Sequence, residues 1–354
     1  MLWKLKDEPI IDSLTDVDMY KFTMGQLIYL KHPKVPVKSG FINRTKTVNL
    51  TKHISKEQLK EQLDHARTLR FTNSELHYLR GTNEYGDRMF QEPYLRFLKD
   101  YQLPEYDLEY YRGKLLLHFP GEWAQVSHWE TIALSIVSEL FSISQVKKLS
   151  QIERDAKLAI GIQRLHEKIK ELKMYPDLTF SDFGTRRRAF KFWQHYVVAT
   201  LQNELPKQFL GTSNVQIAMN QSLLPMGTSA HELYMVYSCL FGDSDENIRS
   251  SVQEVIKDWW ELYGWGLSVH LPDTFGTKAF LEDLSLEDAA RSKGMRQDSA
   301  NPITFGERLL RFYKEKNIQA KDKLIVFSDS LNVKKMIQLF LHFENRIRTT
   351  NGWD

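Results

Sequence analysis

The sequence predicts an α/β protein, a distorted parallel α/β barrel domain preceded by a smaller mixed α/β domain. Three observations carry the expectation. From residue 178 onward, short apolar runs, polar turns and helical patterns alternate in about six consecutive units, as parallel strands with crossover helices do. Residues 1–120 mix strands and helices without that rhythm, so they form one expected domain and residues 121–354 the other, with the C-terminal end returning to the first. The polar turns always follow a strand and precede a helix, which in a barrel gathers them at one mouth, where active sites sit.

Residues 16–30 have helical spacing, with Met19, Phe22, Leu27 and Leu30 apolar and Thr15 or Asp16 as the cap. Asp16 and Asp18 then complement the dipole at the helix start. Residues 35–44 alternate as a strand, and 56–71 and 90–98 read as helices. Residues 106–110 and 114–119 read as strands joined by an Arg112-Gly113 turn. Ile132, Ile136, Leu140 and Ile143 mark a strong helix over 129–149, followed by another over 151–172. The repeating units then pair strand 178–181 with a helix over 186–201, 209–213 with 214–220, and 223–226 with a helix from 231. A helix over 248–263 precedes strand 267–271 and its turn Pro272-Asp273-Thr274. Gly294-Met295-Arg296 leads through Gln297-Asp298-Ser299 to a helix at Thr304, where Glu307 completes a capping box. Strand 324–327 leads through Ser328-Asp329-Ser330 to a helix carrying Val333, Met336, Ile337, Phe340 and Leu341.

Composition narrows the function. The 48 basic and 45 acidic residues leave a formal charge of +3, too little to bind nucleic acid through bulk charge, so any anion site is local. The single cysteine, Cys239, excludes an internal disulfide and a cysteine metal site, fits a reducing compartment, and reads as a small core residue within 236–241. The N-terminus lacks the apolar core of a signal peptide, and no run is long and apolar enough to cross a bilayer. A cytoplasmic protein without a membrane partner is expected.

The chemistry centres on Gly227-Thr228-Ser229-Ala230-His231-Glu232. A Gly-Thr-Ser turn entering a helix presents backbone N–H groups to an anion. It also places His231 in the first turn, where an imidazole can accept or relay a phosphoryl group; a helix cap with a surface histidine has the same sequence. Arg186-Arg187-Arg188 opens the expected helix at 186, where cations oppose the dipole. A solvated cluster and a phosphate clamp through Arg186 both fit. Phe183 suits either the core or the face of a flat ring. Asp273, Asp298 and Asp329 each follow a strand, as helix caps do and as carboxylates that hold ribose hydroxyls or a magnesium-bound polyphosphate do. Arg296 pairs with Asp298 or binds a substrate carboxylate. Together Asp182, Arg186, Ser213, His231, Asp273, Arg296, Asp298 and Asp329 are expected to converge on one phosphate-ester cleft.

At this point the chain resembles a known family. Asp16-Val17-Asp18-Met19-Tyr20-Lys21-Phe22-Thr23-Met24, Phe183-Gly184-Thr185-Arg186-Arg187, Gly211-Thr212-Ser213-Asn214-Val215, the Gly227–His231 stretch, Asp273-Thr274-Phe275-Gly276-Thr277 and Phe327-Ser328-Asp329-Ser330-Leu331 are similar, in order, to the motifs of nicotinate phosphoribosyltransferase. The resemblance implies a two-domain enzyme, usually a homodimer with shared active sites. It joins nicotinate to 5-phosphoribosyl 1-diphosphate, with Mg2+, and couples this to ATP hydrolysis in NAD salvage. It implies that His231 is the phosphorylated histidine and that Tyr20, Thr228 and Arg296 contact nicotinate, with Phe183 stacking on its ring and Tyr20 reaching the partner subunit's site. Arg186, Asp273 and Asp298 would hold the phosphoribosyl diphosphate and its metal, with Ser213 and Asp329 also lining the substrate site; no direct protein ligand to the metal is assigned. Loss of diphosphate leaves an oxocarbenium-like ribose, so positioning and charge stabilisation carry the catalysis.

The chain departs from the family pattern in two places. Asp298-Ser299-Ala300-Asn301 stands where the family has Asp-Ser-Gly-Asp. Nothing after Phe343 reads as the family's Gly-rich strand and 5′-phosphate loop, so weak or absent activity of this polypeptide alone is expected. Two alternatives remain: nicotinamide phosphoribosyltransferase, and a truncated non-catalytic protein that binds phosphoribosyl diphosphate.

Overall fold

The computed structural model describes residues 8–81 and 86–353. The chain sorts into two compact units: one takes the chain up to Lys170 with Phe183–Glu204 and Gly211–Met226, and the other takes Glu171–Asp182, Leu205–Leu210 and the chain from Gly227 on.

In the first unit, β1 (Pro36–Gly40), β2 (Asp107–Tyr111) and β3 (Lys114–Glu122) form an antiparallel sheet in the order β1-β3-β2. The β2–β3 hairpin closes on Arg112 (φ 47°) and Gly113 (φ 73°). Two successive positive φ values match the twist of the flanking strands. Helix Trp129–Val146 turns Ile132, Ile136 and Leu140, spaced four apart, into a core that also holds Phe22, Tyr94 and Leu98.

Two local expectations fail here for one reason. The first helix begins at Tyr20, not at residue 16. Residues 15–19 instead run against 213–216: Met19 N donates to Ser213 O (2.7 Å), Val215 N to Val17 O (3.0 Å) and Gln216 N to Thr15 O (2.9 Å). Asp16 and Asp18 are therefore buried ligands, not dipole partners. Likewise the three arginines do not open a helix. Thr185–Arg187 is a short 3-10 turn, and the α-helix starts at Lys191. The Arg188 guanidinium is buried and forks onto both oxygens of Asp16 (2.6 and 2.9 Å), which holds this segment extended.

The second sheet matches the expected class. β4 (Phe180–Asp182), β5 (Phe209–Thr212), β6 (Val269–His270), β7 (Gly294–Gln297), β8 (Leu324–Phe327) and β9 (Arg348–Trp353) lie in the order β5-β4-β9-β8-β7-β6. The pairs β4–β9, β9–β8, β8–β7 and β7–β6 are parallel. Residues 223–226 do not form a strand; a bridge between Thr212 and Pro225 is what remains, since proline has no N–H for a ladder.

β9, which follows Phe343, is a strand that the sequence pattern does not mark. It lies between β4 and β8, with Asn351 opposite both Phe180 and Phe327. Its residues are polar, so it lacks the apolar run that marks most buried parallel strands. Asn351 is buried, and its Nδ2 donates to Thr179 O at 3.1 Å.

Two further corrections concern helices. The helix after β7 starts at Pro302 with Asn301 as its cap, accepting from Thr304 N (3.0 Å); Glu307 binds Arg346 and His342 instead of completing a capping box. Cys239 is exposed, because helix His231–Phe241 buries Leu233, Tyr234 and Tyr237 and turns residue 239 outward. Among the described residues no helix is long and apolar enough to cross a membrane.

Candidate active site

Segments of the second unit bring His231, Asp273 and Asp298 together. His231 is the first residue of its helix, and its cap, Ala230, makes no side-chain hydrogen bond to the helix end. Asp273 follows β6, Asp298 follows β7, and Ser328 follows β8, so all three sit past the C-terminal ends of parallel strands, where such sheets place their sites.

The imidazole lies between two carboxylates. Nε2 is 2.9 Å from Asp273 Oδ1, and Nδ1 is 3.7 Å from Asp298 Oδ2. Burial raises the Asp273 pKa, but hydrogen bonds from His231 and Ser299 outweigh it, and the net shift is downward. An ionised carboxylate only accepts, so Nε2 carries the proton toward Asp273 and the lone pair of a neutral ring rests on Nδ1. Ser299 Oγ donates to the other oxygen of Asp273 (2.5 Å) and fixes its plane.

Asp298 is held as firmly. Its Oδ1 accepts from Arg296 Nη2 (2.9 Å) and Ser328 Oγ (2.8 Å). Ser328 Oγ also accepts from Arg296 Nε (2.7 Å), so one hydroxyl ties the arginine to the acid. Arg296 Nη1 reaches Ser229 O at 3.4 Å. Arg296 and Asp298 thus form a salt bridge, the first of the two options their spacing allowed.

In the first unit a second cluster forms around Arg186. Its Nε is 3.4 Å from Asp18 Oδ2, and its Nη1 is 3.3 Å from Glu130 Oε1. Asp18 is buried, which drives its pKa up, and its Oδ1 accepts from Ser213 Oγ at 2.6 Å. Tyr20 is buried and donates from Oη to Glu130 Oε2 (3.0 Å), with the Arg186 guanidinium 5.7 Å from its ring centre. Lys21 Nζ, fully buried, is 2.6 Å from the same Glu130 oxygen.

The remaining predicted residues are placed as follows. Phe183 and Gly184 follow β4, whose last residue is Asp182, and Phe183 is half-buried. Thr228 is half-buried in the loop before His231. Asp329 follows β8, but its carboxylate accepts from Ser330 Oγ (2.8 Å) within its own turn.

Sequence reasoning missed Glu130, Ser299 and Ser328, and gave Lys21 no role. Lys21 carried a signal: residues 20–28 are all buried, and a lysine there requires an acid nearby. Its partner lies more than a hundred positions away, which spacing cannot supply. Among the described residues no group of three or more histidine, cysteine or acidic side chains is arranged to hold a metal by itself. Magnesium commonly uses one or two carboxylates plus substrate phosphates, and Asp273 and Asp298 fit that mode.

Comparison with known proteins bears on the family and the fold. Residues 178–353 match the nicotinate phosphoribosyltransferase (NAPRTase) family, and residues 15–138 match the NAPRTase N-terminal domain. The structure of nicotinate phosphoribosyltransferase from Porphyromonas gingivalis superposes with a TM-score of 0.86 at 26% identity, over 97% of this chain and 84% of that one. The Vibrio cholerae enzyme gives 0.85 at 28%, over 99% and 80%. A putative nicotinate phosphoribosyltransferase from Saccharomyces cerevisiae gives 0.82 at 28%, over 98% and 84%. Two sequence models of one family, together spanning most of the polypeptide, and three solved structures with the same architecture place this chain in the nicotinate phosphoribosyltransferase family.

Proposed function

We propose that the chain forms nicotinate mononucleotide with His231 as a phosphoryl acceptor, coupling ATP hydrolysis to the transfer. The family substrates are nicotinate and 5-phosphoribosyl 1-diphosphate. In the transfer the bond from ribose C1 to the diphosphate oxygen breaks and the pyridine nitrogen lone pair forms the new C1–N bond. That nitrogen carries no proton near neutral pH, so no general base is needed. The protein's task is to orient the two reactants and to stabilise charge at C1 and on the departing diphosphate.

The observation that carries the ATP step is the hydrogen bond from His231 Nε2 to Asp273. Attack of Nδ1 on the γ-phosphorus of ATP breaks the bond to the ADP oxygen, and the proton stays on Nε2, where Asp273 stabilises the positive ring. Arg296 is proposed to meet the nicotinate carboxylate, with Thr228 and Tyr20 as further contacts and Phe183 offering its ring face. Arg186, Asp273 and Asp298 are proposed to hold the phosphoribosyl diphosphate, with Ser213 and Asp329 as further residues of the substrate site. Mg2+, brought on the diphosphate, would neutralise leaving-group charge, with Asp273 and Asp298 as the carboxylates facing it.

A homodimer in a cytoplasmic setting belongs to the same proposal. Intact-mass measurement of the full chain with ATP tests the central step: gain of one phosphoryl group, absent in His231→Ala, is expected. An equal gain in that variant would remove His231 from the mechanism. Light scattering tests the dimer, and competition between nicotinate and nicotinamide in one assay tests the choice of pyridine.

A further inference from the structure

Glu130 lies outside the stretches that carry the family resemblance, yet its carboxylate meets three side chains that lie within them. Oε2 accepts from the Tyr20 phenol (3.0 Å) and lies 2.6 Å from Lys21 Nζ; Oε1 lies 3.3 Å from Arg186 Nη1. It stands in the first turn of helix Trp129–Val146, a rigid element packed through Trp129, Ile132 and Ile136, so the carboxylate has a fixed position.

Exposure separates the two cations. The Lys21 side chain is 0% exposed, while Arg186 and Glu130 are 28% and 36% exposed. An anion arriving from solvent can reach Arg186, and Lys21 is sealed beneath. The ammonium therefore acts as a buried counter-charge. It favours the ionised form of Glu130, whose pKa is held low, against desolvation, by Lys21 and Arg186, and an ionised Glu130 keeps its hydrogen bond to Arg186. Asp18 completes the arrangement from the other side, 3.4 Å from Arg186 Nε. With Nη1 donating to Glu130 and Nε facing Asp18 at ion-pair distance, the planar fork favours one orientation before the ligand arrives.

We infer that Glu130 is a positioning residue for substrate binding: it orients Arg186 and Tyr20, with Lys21 as its buried counter-ion. This rests on the reading that Arg186 binds the phosphoribosyl diphosphate.

The test is calorimetric binding of 5-phosphoribosyl 1-diphosphate, with Mg2+, to the full chain and to Glu130→Gln and Glu130→Gln/Lys21→Met. All measurements are made well below each protein's melting temperature. A dissociation constant, unlike the amount of active protein, does not depend on the fraction folded. Both variants are expected to bind about 10- to 100-fold more weakly, the range found when partners that orient ligating groups are removed. The double variant is expected to melt higher than Glu130→Gln, because no buried ammonium is left without its anion. Should Glu130→Gln fail to fold, the double variant carries the comparison. Unchanged binding in Glu130→Gln overturns the inference while leaving the Arg186 reading intact. Binding restored in the double variant also overturns it, since Glu130 would then serve only to neutralise Lys21. No binding by the unaltered chain takes down both.

Discussion

His231 Nε2 lies 2.9 Å from Asp273 Oδ1, and this pair decides which ring nitrogen can react. The acid is itself pinned by Ser299, so the imidazole cannot rotate without losing its hydrogen bond to a fixed carboxylate. Asp273→Asn keeps the shape but removes the negative charge, and the amide can present either a donor or an acceptor to Nε2. ATP-dependent phosphorylation of the chain should slow by roughly 10²- to 10⁴-fold, as when a histidine loses the acid that fixes its tautomer. Single-turnover mass spectrometry reads this directly; an unchanged rate would show that Asp273 does not prepare the ring.

Arg296 shares Asp298 with Ser328, which leaves a guanidinium fixed by two neighbours through Nε and Nη2. Arg296→Lys keeps the charge but loses the planar fork. The KM for nicotinate should rise about 10- to 100-fold, the worth of a hydrogen bond to a charged group, with a smaller change for phosphoribosyl diphosphate. Steady-state kinetics varying each substrate in turn separates the two effects. Equal changes in both KM values would argue that Arg296 does not read the carboxylate.

His128 gives the first unit an acid-labile point. It is fully buried between Phe22 and Tyr101, with ring centres at 5.3 and 5.0 Å, and neither ring nitrogen has a hydrogen-bond partner among the described residues. Burial, helped by the Lys21 charge, pushes its pKa down from 6.5 to about 3. The unfolded chain therefore takes up a proton as pH falls through 6.5, and the folded chain does not until about 3. This group's contribution is intact above pH 6.5 and is lost progressively toward pH 3. His128→Phe should flatten that decline. Chemical denaturation at about pH 4.5 and about pH 7.5 should show a smaller difference in the variant than in the parent, by on the order of a few kcal/mol. Equal differences would mean that other groups set the acid limit.

The fold was legible where burial requires apolar residues in a row. β8, the hairpin turn at Arg112-Gly113 and the face of Ile132 and Ile136 could be read from spacing. β9 could not, because Thr349, Thr350 and Asn351 give no apolar run, and its central place comes from its neighbours. The same limit applies to the sites. His231, Asp273 and Asp298 each follow a recognisable turn and do meet. Asp16 was read as a dipole partner because its true partner, Arg188, is far away in sequence and the bond between them exists only once the chain is folded. Glu130 was hidden for that reason too.

Ala300 sits at φ 63°, in the left-handed region, within the turn between Asp298 and the helix cap Asn301. Gln297 Nε2 donates to Ser299 O (2.8 Å) and Ala300 O (3.1 Å), so the turn is held whatever residue occupies position 300. A Cβ here costs about 1–2 kcal/mol, and glycine gives back part of the gain through greater freedom in the unfolded chain. Ala300→Gly should therefore stabilise the protein by about 0.5–1 kcal/mol. The denaturation midpoint should rise with an unchanged m-value; a fall would show that the exposed methyl makes contacts the turn needs.

Gly306 marks the tightest approach between the two helices that follow β7 and β8. A Cβ built on it would lie 2.2 Å from Phe343 Cζ and 2.6 Å from Cε1. Phe343 has nowhere to go: it is fully buried and stacks on Phe327 of β8, with ring centres 5.7 Å apart. In an exposed helix, glycine to alanine would gain up to about 1 kcal/mol from propensity. Here the clash should win, because forcing apart a close-packed contact costs about 1–3 kcal/mol. Gly306→Ala is expected to lower the melting temperature. Gly306→Ala combined with Phe343→Leu should recover part of the loss, since the shorter side chain vacates the space the methyl needs. The recovery separates a steric cause from a backbone one: if the double variant melts no higher than the sum of the two single changes allows, the helices are not held apart by that ring, and the glycine serves the backbone instead.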